Sequence, residues 1–125
     1  MKRVIRAAAA LALTGACAGA GAAIVDIQWS SDGRFEHKSS VAPGKFVELC
    51  GKLAAGNRVR WSFEGTAATT FNIHYHVGKD VVFPAKKDQV LREQGELRVD
   101  LDQDYCWMWS NKSGAALELS VTLAR

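Results

Sequence analysis

The sequence contains neither an apolar segment that could span a lipid bilayer nor a common catalytic signature. Its most apolar stretch, the Ala/Leu run at residues 7–13, is far shorter than the roughly 20 residues that a membrane-spanning helix requires. It has no G-x-S-x-G nucleophile elbow, no H-E-x-x-H zinc motif and no paired-carboxylate motif. The apolar run is therefore too short to span a bilayer, and we do not expect an enzyme.

The chain also lacks a charge excess beyond its N-terminus. Three of its 16 Lys and Arg residues are Lys2, Arg3 and Arg6, and the remaining 13 equal the 13 Asp and Glu residues. The formal charge of +3 therefore belongs to the N-terminal segment. With no stripe of basic and aromatic residues in addition, no nucleic-acid partner is expected.

The N-terminal segment has the layout of a secretory signal peptide. Its three positive residues precede the short apolar run, and small residues continue to Ala23. We therefore predict a signal peptide at residues 1–23 and a mature domain at residues 24–125. The protein is expected to be exported from a bacterial-type cell.

Two modes of processing stay open for this signal. Small residues before Ile24 suit ordinary signal peptidase, which would release a periplasmic protein. The sequence LTGAC at residues 13–17 instead resembles a bacterial lipobox, although Thr14 stands where such boxes usually carry Leu. In that case Cys17 would become a lipid anchor, and Ala18 after it would direct the protein to the outer membrane.

Three cysteines are too few for a scaffold built on several disulfides, but they are enough for one disulfide bond. Because Cys17 belongs to the signal or to a lipid, Cys50 and Cys106 remain as a pair. In an oxidising compartment such a pair is expected to form a disulfide. Its long loop would stabilise the fold by about 4 kcal/mol on the chain-entropy model. Two free thiols that bind a metal are the alternative.

After residue 24 no long amphipathic helix is apparent, and short β-rich runs alternate with turn signals. This pattern predicts one all-β domain, a single antiparallel β-sandwich of the jelly-roll type with about eight strands. The runs lie at residues 24–29, 34–40, 46–50, 58–64, 71–77, 81–83, 96–101, 105–110 and 115–123.

Two central runs alternate clearly between apolar and polar residues. Residues 58–64 and residues 71–77 each place their apolar side chains on one face, which predicts one buried and one wetter side. Residues 65–70 between them predict a hairpin. The polar stretch 85–94 is predicted to be a loop or a single helical turn.

The same alternation assigns the faces of the last aromatic run. Tyr105, Trp107 and Trp109 are predicted to point inward, so Cys106 and Met108 point outward. The aromatic side chains either fill the core or form a flat platform that stacks on a sugar or peptide.

Five segments resemble the GOLD (Golgi dynamics) domain, the luminal β-sandwich of secretory-pathway cargo receptors. They are ELCGKLAAG at 48–56, VRWSFE at 59–64, FNIHYH at 71–76, QGEL at 94–97 and YCWMWSN at 105–111. One departure concerns the second cysteine, because the family cysteine lies two residues nearer the Asn and Met108 occupies that place. The resemblance implies a GOLD-like sandwich that serves as a non-enzymatic interaction module in the cell envelope.

His74 and His76 are the side chains best suited to chemistry. At positions i and i+2 of one strand they share a face, with Cα atoms about 6.5–7 Å apart, so they could bind one metal ion. Met108 could add a soft ligand that favours Cu(I). One observation argues against this site. A hairpin at 65–70 would place Arg60 opposite His74 and Arg58 opposite His76, where the two guanidinium groups would repel a bound metal cation.

Two functional hypotheses follow from these patterns. The first is an exported binding or adaptor module without catalytic activity, whose partner is an envelope protein or a small ligand. The alternative is a small periplasmic copper- or zinc-binding protein that uses His74 and His76, with Met108 as a third ligand.

Overall fold

A computed structural model describes residues 23–125. Residues 1–22 of the predicted signal peptide, including Cys17, lie outside these residues. The described chain is all-β, as predicted, and has seven strands. They are β1 (Ala23–Asp26), β2 (Arg34–Val41), β3 (Phe46–Leu53), β4 (Arg58–Val77), β5 (Asp80–Arg98), β6 (Gln103–Ser110) and β7 (Leu117–Ala124). Within residues 23–125 there is no helix long and apolar enough to cross a membrane.

The strands form one sheet that curls into a sandwich. Its order is β1-β3-β6-β4-β7-β2, and β5 pairs along β4. The N-terminal part of β4 pairs with β7 over Arg60–Gly65, whereas its C-terminal part pairs with β6 over Thr70–His74. Strand β4 therefore belongs to both halves of the sandwich and changes its neighbour where the sheet bends.

The predicted hairpin at residues 65–70 is wrong, because β4 continues through it. Gly65 lies in this stretch for close packing: a Cβ atom there would lie 2.8 Å from the Leu117 Cδ1 atom. The glycine thus lets β7 approach the bend and does not form a turn. The predicted loop at 85–94 is also wrong, since these residues continue β5 along the edge of the sheet.

The inward faces carry the predicted apolar residues. Trp107 and Trp109 are fully buried, and Tyr105 is 1% exposed, so the aromatic run fills the core and does not form an exposed platform. Aromatic rings from the two halves meet there: the Phe63 and Trp109 ring centroids are 5.5 Å apart. Together with the buried aliphatic side chains, these rings form the core between the two halves of the sandwich.

One pairing departs from the antiparallel prediction. The short first strand runs parallel to β3, with Ala23 opposite Val47 and Asp26 opposite Cys50. All other strand pairs are antiparallel. Strand β3 is thereby held on both sides, and it carries one half of the disulfide described next.

Candidate functional site

The Cys50–Cys106 disulfide is present and connects β3 to β6. The two residues are direct partners in the antiparallel register, and their Cα atoms are 4.1 Å apart. Both side chains lie on the outer side of the sheet, opposite the buried aromatic run. The alternation of side chains along the two strands predicts this placement.

The disulfide lies in a row of polar and sulfur-containing side chains. His74 of β4 is the register partner of Cys106, so three neighbouring strands bring the disulfide and this imidazole together. In the next row Glu48, Met108 and Asn72 are neighbours across the same strands. We call this surface the disulfide face; its members are Glu48, Cys50, Asn72, His74, Cys106 and Met108.

His74 is a buried and hydrogen-bonded polar group of the disulfide face. It is only 5% exposed, and its Nδ1 atom lies 2.7 Å from the Asn72 Oδ1 atom. An amide oxygen can only accept a hydrogen bond, so Nδ1 carries a proton, and in the neutral ring Nε2 keeps its lone pair. Burial lowers the pKa of His74, while the Glu48 carboxylate raises it and His76 lowers it further.

The two predicted metal-binding histidines are close but differ in environment. Their ring centroids are 5.3 Å apart, and the rings are perpendicular. His76 is exposed, whereas His74 is buried. Met108 lies on the same outer face, one row away from His74.

The electrostatic objection to a cation at His74 does not hold in the folded protein. Because β4 continues without a hairpin, Arg60 pairs with Glu96 of β5 and with Ala124 of β7. Arg58 forms a 3.7 Å ion pair with Glu96. The charged group that does face His74 is the carboxylate of Glu48.

The structure adds Glu48 to the residues that the sequence singled out. Ligand atoms of Glu48, His74 and Cys106 all lie within 4.8 Å of one another. Glu48 and Cys50 are two positions apart on β3 and therefore share a face, but only the order of the strands brings this face beside His74. Long-range pairing of that kind leaves no local signal in the sequence.

A second surface lies at the turn between β4 and β5. Pairing of β4 with β6 ends at His74, and the hairpin beyond it closes through Gly78, whose φ of 58° suits a glycine. Four apolar side chains of this hairpin are 38–47% exposed, and we call them the apolar tip: Val77, Val81, Val82 and Phe83. The Lys86 ammonium lies 4.7 Å from the centre of the Phe83 ring.

A shallow groove crosses the other half of the sandwich. It is lined by Arg34, Arg60, Ser62, Gln94, Glu96 and Thr122, with Trp61 beneath them. Gly95 is required here, because a Cβ atom would lie 2.6 Å from Cζ2 of the Trp61 ring. The groove is open and mixed in charge, and it holds no cluster of ligating groups such as the one on the disulfide face.

His37 gives a pH dependence that is separate from these surfaces. It stacks on Phe35, with ring centroids 6.1 Å apart, and its buried Nε2 atom has no hydrogen-bond partner. Burial lowers the pKa of His37 below its ordinary value near 6.5. The unfolded chain therefore binds the proton more readily, so this contribution to stability is full above pH 6.5 and is lost as the pH falls through the folded-state pKa.

We expect the free energy of unfolding to fall between pH 7.5 and pH 5, and His37→Leu should make this fall smaller. Urea unfolding at the two pH values measures the difference. His76→Gln is the matched control at an exposed histidine. An unchanged pH dependence in His37→Leu would contradict this assignment.

Comparisons with known proteins show the fold but no family. The sequence matches no protein-family model and no curated protein. Among solved structures, the periplasmic inhibitor of g-type lysozyme PliG from Aeromonas hydrophila is similar, with a TM-score of 0.62 and 12% identity over 83% of this chain and 96% of that one. Salmonella Typhimurium PliG has a TM-score of 0.57 and 10% identity over 83% and 98% of the two chains. The Yersinia pseudotuberculosis-derived mitogen has a TM-score of 0.57 and 14% identity, and the alignment covers 73% of this chain and 84% of the mitogen. At these identities the similarity establishes a shared β-fold.

Proposed function

We propose that this protein is an exported, non-catalytic binding module that recognises a protein partner in the cell envelope through the apolar tip. The observation that carries the proposal is the exposure of four apolar side chains at the end of one hairpin. Exposed apolar groups that cluster, rather than scatter, mark interaction surfaces.

The tip is suited to protein recognition because its scaffold is rigid. Strand β4 is paired on both sides up to His74, and Tyr75 packs on Tyr105 with ring centroids 5.0 Å apart. The apolar tip begins at the level of this anchor, where Val82 is the register partner of Tyr75. A partner that covers the tip would bury the apolar groups without ordering a loop, which keeps the entropic cost of binding low.

A g-type lysozyme is the partner to test first. PliG proteins, whose fold this chain shares, are periplasmic inhibitors of that enzyme. Export is supported by the disulfide and by the signal-like N-terminus. The GOLD resemblance implies the same kind of non-enzymatic role and stays a proposal, as does a lipid anchor at Cys17.

The test measures binding and inhibition with purified g-type lysozyme, and c-type lysozyme serves as the specificity control. We expect binding that the double variant Val81→Ser, Phe83→Ser weakens by about 100-fold, since two buried apolar anchors contribute roughly 1–2 kcal/mol each. Lys38→Ser, on exposed β2 at the other side of the sheet, is the matched control. Absence of binding excludes this lysozyme as the partner, and equal binding by the tip variant overturns the assignment of the surface.

A further inference from the structure

We infer that the disulfide face forms a zinc site when the Cys50–Cys106 disulfide is reduced, with Cys50, Cys106, His74 and Glu48 as its ligands. This inference does not depend on the proposed protein partner or on the apolar tip. It rests on four side chains that three adjacent strands bring to one place.

The distances support a single site. Ligand atoms of Glu48, His74 and Cys106 lie within 4.8 Å of one another. The Cys50 Sγ atom lies 3.7 Å from the Glu48 Oε2 atom, and it is bonded to the Cys106 sulfur. Cys50 thus contacts two members of this three-residue cluster, which places all four groups around one point on the disulfide face.

The donor set identifies the ion. Two thiolates, one imidazole and one carboxylate are the ligand types that tetrahedral Zn²⁺ sites use in proteins. The lone pair on His74 Nε2 is free because Nδ1 is bonded to Asn72. A partner on the other ring nitrogen is the usual support of a zinc-binding histidine. Glu48 supplies a negative charge at the site, which favours a cation.

The disulfide controls whether these ligands are available. While the sulfur atoms are bonded to each other, neither is a thiolate, and only two of the four proposed ligands, Glu48 and His74, can bind an ion. A dithiol reductant breaks the bond by exchange: its two thiols become a disulfide, and two electrons and two protons pass to Cys50 and Cys106. Each cysteine then releases its proton when it binds Zn²⁺.

The sequence-predicted set of His74, His76 and Met108 is the competing site. It needs no reduction, because none of its ligands is a cysteine. In the structure it combines a buried histidine, an exposed one and a thioether from the next row. The two sets share His74 alone, so variants at the other positions distinguish them.

The experiment measures Zn²⁺ binding to the purified protein, oxidised or reduced by a phosphine, in competition with a chromophoric chelator. Circular dichroism records the fold of each sample. We expect one equivalent of Zn²⁺ in the reduced protein, bound about 100-fold or more tightly than in the oxidised protein. Co²⁺ in place of Zn²⁺ should give thiolate-to-metal charge-transfer absorption and the intense visible bands of a tetrahedral site.

Variants define the ligands. His74→Ala and Glu48→Gln should weaken Zn²⁺ binding to the reduced protein, and Asn72→Ala should weaken it by about 10-fold or more. His76→Ala and Met108→Ala are the matched controls, since both residues lie on the same side of the sheet but outside the proposed ligand set, and they should leave Zn²⁺ binding unchanged. If reduction unfolds the protein, added Zn²⁺ should restore the folded spectrum.

Three outcomes would overturn the inference. They are equal affinity in the oxidised and reduced proteins, no binding or refolding by Zn²⁺ after reduction, and loss of binding in His76→Ala or Met108→Ala but not in Glu48→Gln. The last outcome would assign the metal to the competing site.

Discussion

The double variant Cys50→Ala, Cys106→Ala is expected to unfold with a free energy about 4 kcal/mol below that of the oxidised protein. The bond joins residues 56 positions apart, and a cross-link of that span removes much conformational freedom from the unfolded chain. Because both cysteines lie on the outer face, their replacement leaves the apolar core intact. Nearly all of the loss should therefore come from the unfolded state.

Guanidinium unfolding without reductant measures this loss. The unmodified protein, reduced and kept in a chelator, is the control, and it should unfold at nearly the same denaturant concentration as the double variant. The chelator matters because Zn²⁺ would stabilise the reduced protein if the disulfide face binds it. A difference below about 1 kcal/mol would mean that the strand contacts alone fix β3 against β6.

Trp107→Ala should destabilise the protein by about 3–5 kcal/mol, the usual cost of removing a large aromatic side chain from a packed core. The Trp107 side chain is fully buried and lies between the two halves of the sandwich. Its indole Nε1 atom has no hydrogen-bond partner, so Trp107→Phe should cost clearly less, since it keeps a ring and loses an unpaired donor.

Met108→Ala is the matched control for this prediction, because Met108 is the next residue of β6 and lies on the outer face. Chemical unfolding of the three variants measures the differences. Equal losses for Trp107→Ala and Met108→Ala would contradict the assignment of inner and outer faces.

The faces of individual strands could be predicted from the sequence because they depend on local alternation. The alternation of residues 58–64 predicts that Trp61 and Phe63 point inward, and that of the last aromatic run predicts that Cys106 points outward; the structure places all three so. The disulfide pairing was also predictable, since the predicted mature segment contains two cysteines and the predicted export would expose them to oxidants.

The strand boundaries and the neighbours of each strand could not be predicted in the same way. Gly65 and the small residues after it are typical of a turn, yet the glycine serves the close approach of Leu117, a residue about fifty positions away. Residues 85–94 are polar because β5 is exposed on an edge, and composition does not distinguish such a strand from a loop. The contact of Glu48 with His74 depends on the order β3-β6-β4, which is set by the whole fold.

The two candidate surfaces are neighbours. The His74 and Phe83 ring centroids are 6.0 Å apart, so the disulfide face and the apolar tip meet at this contact. A protein bound at the tip would therefore lie beside the disulfide. The variants at Val81 and Glu48 separate the two activities, since neither residue belongs to both surfaces.

The unequal attachment of β4 and β5 has a mechanical consequence. Strand β4 is held by β5 on one side and by β6 or β7 on the other, whereas β5 is paired with β4 alone. A pulling force on the hairpin would therefore peel β5 away one hydrogen bond at a time before it could shear β4 from the interior. The element that presents Val81 and Phe83 to a partner is thus held on one side alone, and it would detach before β4 under such a load.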